Sequence, residues 1–254
     1  MSVPTGNIGL SNVTNEIYGD YWNTRNLRQC FIDATGTFDP VYQGSKDSLS
    51  NFQNYNHALL PLVYDYDGNP YQPIRIGTQI WLNSCFKCTH LNNGTVINSC
   101  STALQLYNYA VANTAAYYNY ASNDRYYNKI AIMNANFAIS GWHVPTYTDL
   151  NTLGAYLGGG NVAGGHLKKT GTTRWSSNVG ADNSTGFNGE PSGYSGQNAI
   201  YEAATRMYFW TTTQHDIGGG TMAWYMATLY AEAANLGATD NLGWNGLPVR
   251  LIKN

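Results

Sequence analysis

The chain has 254 residues, with 13 Lys and Arg against 15 Asp and Glu, a formal net charge of −2, and only 11% charged residues. Its basic residues never cluster beyond pairs such as Lys168-Lys169, which argues against nucleic acid and anionic membrane as partners. No run approaches the roughly 20 apolar residues of a membrane helix, while 43% hydrophobic content with seven Trp and 21 Tyr is enough to build a core.

The start, Met1-Ser2-Val3-Pro4-Thr5-Gly6, has neither a basic nor an apolar signal region, so a protein made and used without secretion is expected. Residues 1–58 consist of short polar segments with few apolar runs. Such a unit has a thin core and is expected to lean on a partner for part of its burial. The run His57-Ala58-Leu59-Leu60-Pro61-Leu62-Val63 reads as a connection into a first strand, which places the boundary of two domains at 1–58 and 59–254.

Beyond it, Tyr64-Asp65-Tyr66-Asp67-Gly68-Asn69 predicts a tight turn between extended segments, and Ile74 to Trp81 alternates around Gly77. Asn93-Gly94 predicts a second hairpin, flanked by Phe86–Leu91 and Thr95–Cys100. At Gly141-Trp142-His143-Val144-Pro145-Thr146 a helix start is legible: Thr146 as N-cap, Asp149 three residues on as the capping-box acid, then Leu150, Leu153 and Leu157 at helical spacing. Gly158-Gly159-Gly160 ends that helix, and the glycine run from Gly158 to Gly165 reads as a turn. Late in the chain, Tyr208–Thr213, Trp224–Tyr230 and Leu247–Ile252 read as strands joined by Gly-rich or Asn-rich loops. Ala, Met, Leu and Glu in Ala223–Leu236 favour a helix by propensity, yet a strand is expected for the first half.

Cys85, Cys88 and Cys100 with His90 nearby are a conceivable zinc set. A strand over residues 82–91 would put Cys85 and Cys88 on opposite faces, whereas folding at Asn93-Gly94 would bring Cys88 opposite Ser99 or Cys100. Free buried thiols are therefore favoured, then a Cys88–Cys100 disulfide, then zinc; Cys30 has no evident partner. Calcium on loop carboxylates such as Asp216 or Asp240 is a further, less favoured option, so no cofactor is expected. The Tyr-rich stretch from Tyr107 to Tyr127 is expected to pack mainly at the rim of the core, with carbohydrate stacking as the alternative. Trp142, Trp210 and Trp224 are read as core.

Asp65-Tyr66-Asp67-Gly68-Asn69-Pro70-Tyr71, Ile76-Gly77-Thr78-Gln79-Ile80-Trp81-Leu82, Gly141 to Thr146, Ala163-Gly164-Gly165-His166-Leu167-Lys168, Pro191-Ser192-Gly193-Tyr194, Phe209-Trp210-Thr211-Thr212-Thr213 and Val249-Arg250 follow one another in the order of a known family. Over about 59–254 the chain resembles the Fibrobacter succinogenes major paralogous domain. The resemblance implies an α+β, C-type-lectin-like fold with two helices and a small twisted antiparallel sheet, and a role in display and binding. The Gly6–Ser11 and Gly44–Phe52 segments of the first unit resemble a short module of tail and fibre proteins from phages of Bacteroidetes.

Together these resemblances imply a virion structural protein of tail-fibre, head-fibre or appendage type, assembled in the bacterial cytoplasm and carrying a non-enzymatic recognition domain. The N-terminal module would join other virion proteins, and the C-terminal domain would bind a host-surface glycan or protein, with a homo-oligomer expected. A decoration or cement protein, or a bacterial adhesin without its export signal, are the alternatives. Recognition residues are expected in loops between late strands: Gln214, His215 and Asp216 in one, Asn241, Trp244 and Asn245 in another, with Tyr201 and Arg206 beside them. Glu190-Pro191-Ser192 and Trp244-Asn245-Gly246 resemble degraded calcium-and-sugar motifs of animal lectins, but their separation is too large and Gly246 lacks a carboxylate. Catalysis is not expected. No Gly-x-Ser-x-Gly elbow is present, and the absence of any Cys after Cys100 separates the chain from the formylglycine-generating enzymes that share the lectin-like fold.

Overall fold

The computed structural model describes residues 3, 8–19, 26–34, 36–38, 42–53, 55, 60–120 and 124–254. The chain divides into two compact units: residues 1–62 with 72–74, and residues 63–71 with 75–254. The Gly6–Ser11 motif lies partly outside the described residues.

In the first unit, helix α1 (Leu10–Tyr18) buries Val13, Thr14 and Ile17 on one face and stops at Gly19, whose φ of 70° is the left-handed geometry of a helix end. Helix α2 (Leu27–Asp33) begins at Asn26, whose side chain accepts the Gln29 N–H, and buries Cys30. The core is small and aromatic. Phe52 and Tyr55 are fully buried, and Phe31 and Phe38 pack on Phe52 at 4.4 and 5.2 Å between ring centres. The Gly44–Phe52 motif closes as a 3-10 turn over Leu49–Phe52, where buried Asn51 accepts from the N–H groups of Asp47 and Ser48 and donates to the Tyr42 carbonyl.

The second unit opens with the hairpin β1 (Val63–Tyr64) and β2 (Pro70–Tyr71), its turn locked by Asp65, which accepts from Asn69 N–H at 2.9 Å and Tyr71 hydroxyl at 2.6 Å. Strands β3 (Pro73–Ile76) and β4 (Gln79–Leu82) follow, then β5 (Asn98–Cys100), helix α3 (Ala103–Val111), β6 (Ala116–Tyr120), β7 (Asp124–Tyr127) and the short helix α4 (Lys129–Ile132). The fully buried Asn128 caps α4 by accepting from Ala131 N–H and ties it to β6 through Ala116 N–H. After β8 (Trp142–His143), helix α5 (Tyr147–Tyr156) has the expected reciprocal cap: Thr146 hydroxyl accepts from Asp149 N–H, and Asp149 accepts from Thr146 N–H at 2.8 Å. Leu150 and Leu153 are buried beneath it.

The glycine run is a helix, not a turn: α6 spans Gly160–Leu167. Glycine is used there for close approach, because a Cβ on Gly164 would stand 2.0 Å from the Asn235 carbonyl oxygen. Strands β9 (Tyr194–Ser195) and β10 (Ile200–Tyr201) form a small hairpin, and β11 (Arg206–Asp216), β12 (Met222–Tyr230) and β13 (Leu236–Asn241) form an antiparallel meander. The terminal β14 (Ile252–Lys253) inserts between β4 and β8, giving the order β3-β4-β14-β8. Ala223–Tyr230 is strand, and the remaining helical propensity up to Leu236 is not realised. Where one small sheet and two helices were expected for the second domain, its described residues hold four helices, α3 to α6, and several small sheets, one with a parallel β5–β6 pair.

Trp142, Trp210 and Trp224 are buried, as are Tyr117, Tyr126 and Tyr127 of the Tyr-rich stretch, while Tyr120 stays exposed. Two cations are buried as well. Lys168 directs its three donors to the carbonyls of Val179, Tyr230 and Ala233 at 2.7–2.8 Å. Arg250 reaches the carbonyls of Leu82, Phe187 and Asn188 and stacks on the Phe187 ring. Among the described residues no helix is long and apolar enough to cross a membrane.

Candidate functional site

Four of the expected recognition residues lie at one end of the β11–β12–β13 meander, on strands instead of in loops. Gln214, His215 and Asp216 pair with Trp224, Ala223 and Met222, and Asn241 pairs with Trp224 from the other side. β12 offers an edge on both sides, and its backbone groups draw the flanking segments into register. The true loop is Ile217–Thr221, closed by Asp216, whose carboxylate accepts the Gly218 N–H at 2.7 Å. Upstream, the pairing register breaks between Trp210 and Gln214. There Thr212 N–H reaches the Pro145 carbonyl and Thr213 hydroxyl accepts from Tyr147 N–H, so the strand irregularity positions Tyr147.

Because side chains alternate along β12, Tyr225 and Trp224 serve opposite faces. On the Tyr225 face, His215 stacks on Tyr225 at 3.9 Å and 7°, and Tyr225 stacks on Tyr147 at 4.2 Å and 19°. His215 Nε2 lies 2.9 Å from Asp240 Oδ1. The result is a half-buried three-ring pile edged by the exposed carboxylate of Asp240.

On the Trp224 face, Lys129 Nζ sits between two indoles, 4.8 Å from the Trp224 ring centre and 4.5 Å from that of Trp244. Trp244 is 38% exposed and stands 6.4 Å from the Tyr107 ring on α3. Lys129 makes no ion pair among the described residues, and burial pushes its ammonium below the usual lysine range. Asn241 Oδ1 accepts from Gly243 N–H, but Asn241 Nδ2 and Trp224 Nε1 are buried donors without a partner. Asn245 is half-buried in the same loop. Lys129 and Trp224 were not anticipated as site residues, since helix starts and core aromatics carry no local signal of recognition, whereas Tyr107 opens the Tyr-rich stretch for which carbohydrate stacking was the alternative to core packing.

Tyr201 and Arg206 do not join this group. Arg206 begins β11 and lies ten residues along the strand from Asp216, about 30 Å away. There it pairs with Glu232 at 2.6 Å, and Tyr201 stacks on Tyr194 at 5.3 Å.

The cysteines also differ from expectation. Residues 83–88 are irregular, not strand, because Phe86 N–H bonds to the Val249 carbonyl and both Phe86 and Cys88 turn inward. The Asn93-Gly94 turn aligns His90 with Val96, while Cys100 pairs with Tyr118 of β6. All four cysteines are free thiols, and Cys88 and Cys100 belong to separate apolar clusters. Burial pushes both thiols up to about 11.

Asp65, Asp67 and Cys88 bring potential ligand atoms within 4.8 Å of one another. Asp65 is already held by Asn69 and Tyr71, and Asp67 accepts from Thr89 N–H and hydroxyl beside His90. Those donors account for the cluster as a turn lock. Similarly, Glu190 of the degraded lectin-type motif is engaged by Lys169 and Arg174.

The architecture is that of a mixed α+β domain: small sheets around an aromatic core, with polar and aromatic side chains gathered at one sheet end. Residues 74–253 match the Fibrobacter succinogenes major domain, and the chain belongs to that family. Neither the curated proteins nor the solved structures contain a match to it.

Proposed function

We propose that this chain is a non-enzymatic structural protein of a bacteriophage particle whose second unit, with a C-type-lectin-like fold, binds a glycan or protein on the host surface. The observation that supports this reading best is the Trp244 surface. An exposed indole beside Tyr107 and the ammonium of Lys129 against it combine a stacking face with a hydrogen-bond donor, the mixture a sugar ring requires. Nearly uncharged surroundings fit a ligand recognised through hydroxyls and ring faces. The first unit, compact but with a core of only a few aromatic and aliphatic side chains, is suited to docking on other virion proteins, and a homo-oligomer would multiply weak sugar contacts into useful avidity.

The purified full-length protein, mixed separately with intact Bacteroidetes host cells and with particles lacking it, tests the reading. Binding to both, with Trp244→Ala weakening cell binding about tenfold or more and sparing particle binding, is expected. Binding to particles alone would replace recognition by a decoration or cement role.

A further inference from the structure

A cleft of about 360 Å³ in the second unit is lined from β3, from the last turns of α5 and α6, and from the loop that follows α6. Tyr156 stands in its wall, 64% exposed and the most exposed aromatic side chain among the described residues. One exposed ring needs no explanation by itself. This one, however, is fixed in place. A Cβ on Gly77 would stand 2.7 Å from Tyr156 Cγ and Cδ2, so the ring lies directly on bare backbone, at a turn whose φ of 61° glycine adopts without cost. Helix α5 carries the ring and the β3–β4 turn supports it, which makes a stacking surface that is held before any ligand arrives.

Polar groups are held beside it. Nδ1 of His166 lies 2.8 Å from Asp182 Oδ2 and 3.0 Å from the Ser184 hydroxyl. A carboxylate only accepts, so Nδ1 carries the proton, and Nε2, which has no partner among the described residues, is the nitrogen left for a ligand hydroxyl. Ser184 shares the nitrogen that Asp182 engages, so this is not a nucleophile with its base. The loop is tied back to α6: Asp182 N–H donates to the Gly165 carbonyl at 3.1 Å, and the Thr185 hydroxyl donates to the His166 carbonyl at 2.7 Å. The Ser184 N–H, helped by His166, holds the Asp182 carboxyl below the usual range, so it is ionised. From β3, the exposed Arg75 adds a planar fork of donors. Arg75 and Asp182 carry opposite charges, which favours neither an anion nor a cation. The volume falls in the range of small-molecule sites, about 300–1,000 Å³.

We propose that this cleft is a saccharide site for a neutral pyranose, with the apolar C–H face of the ring on Tyr156 and its hydroxyls bonded to His166 Nε2 and the Arg75 guanidinium. A pyranose has one apolar face and a rim of hydroxyls, so it asks for a flat apolar surface with donors and an acceptor at its edge. The site shares no residue with the Trp244 surface and stands whether or not that surface meets the host.

The test is NMR titration of the full-length protein with the methyl glycosides of glucose, galactose and mannose, and with glucuronate as the charged counterpart. The readout is the His166 imidazole resonance, assigned by its absence from His166→Gln. A saturable shift with at least one methyl glycoside at about 1–10 mM, and a weaker response to glucuronate, are expected. Tyr156→Ala removes an exposed side chain and should fold, yet should weaken the response about tenfold or more. Tyr156→Phe should retain it, and Trp244→Ala should leave it unchanged. No saturable shift with any of the three up to about 50 mM, or a shift that survives Tyr156→Ala, would overturn the proposal. Glucuronate bound as tightly as the methyl glycosides would overturn the assignment to a neutral sugar.

Discussion

The ammonium of Lys129 lies 4.5 Å from the ring centre of Trp244, and that distance couples the first turn of a buried helix to the most exposed indole of the domain. Lys129 holds the ring in place and Trp244 in turn covers the charge. An exposed cation–π contact contributes only about 0.5–1 kcal/mol, so the fold does not depend on it.

Trp244→Ala is therefore expected to lower stability by no more than about 1 kcal/mol while reducing host-cell binding about tenfold or more, as anchor residues do. Lys129→Met should keep the packing of its stem and lose part of the binding. Urea denaturation run alongside cell-binding assays separates the two effects. A Trp244→Ala protein that binds normally would remove this surface from the reading.

Lys168 is a structural cation. Its three N–H groups hold together segments at Val179, Tyr230 and Ala233, and replacing it by Met strands three carbonyls in a dry site. The expected loss is about 3 kcal/mol. Lys168→Arg should not restore it, because a planar fork cannot meet three carbonyls gathered around one point. Chemical denaturation of the two variants checks both statements.

Gly164→Ala sets helix propensity against packing. Alanine is favoured over glycine within a helix by about 1 kcal/mol, yet here the new Cβ would stand 2.0 Å from the Asn235 oxygen. Packing should win, with a net loss of about 2 kcal/mol or more as α6 is pushed off the chain leading into β13. A stabilised variant would mean that this helix and the Ala234–Asn235 backbone separate without cost.

The Thr146–Asp149 cap predicts a pH dependence. Burial pushes the Asp149 carboxyl up, but the Thr146 hydroxyl and N–H and the nearby His143 outweigh it, and the folded value lies below the usual carboxylate range. An unfolded Asp titrates near 3.9, so above that pH both states are ionised and the contribution is fully present. It is lost as pH falls through the folded value, because the unfolded chain takes up the proton first. Asp149→Asn should cost about 1 kcal/mol near neutrality and flatten this part of the acid limb, which urea midpoints measured from about pH 6 down to about pH 3 will show.

Thiol labelling addresses the cysteines. Cys30, Cys88 and Cys100 are buried, and the last two have thiols raised to about 11, so in the native protein they should resist alkylation near pH 8. Cys85, half-buried beside Arg250, should react first. All four should label after unfolding without reductant; a missing pair would reveal a disulfide that the fold does not contain.

What the sequence determined by itself was whatever depends on neighbours a few residues apart. The α5 cap is fixed by Thr146, Asp149, Leu150 and Leu153, the β1–β2 turn by Asp65, Gly68 and Asn69, and the buried Trp residues by the size of their apolar surface. The family was legible too, because its motifs keep their order along the chain. Tertiary structure alone decided the rest. Leu236–Asn241 has little strand propensity and becomes β13 because β12 presents an unpaired edge to it. The Gly160–Leu167 segment is helical despite three glycines, since only bare backbone fits against Asn235. The expected recognition set divided into two sheet faces and a distant end, as the alternation and length of β11 require. A basic cavity in the second unit gathers Lys87, Lys169, Arg174, Glu190 and Arg250 from segments far apart in the chain. No local pattern can announce such a convergence, because Lys169 and Glu190 meet only through the Lys168–Gly189 bridge and Arg250 joins them only by reaching the Leu82 and Phe187 carbonyls.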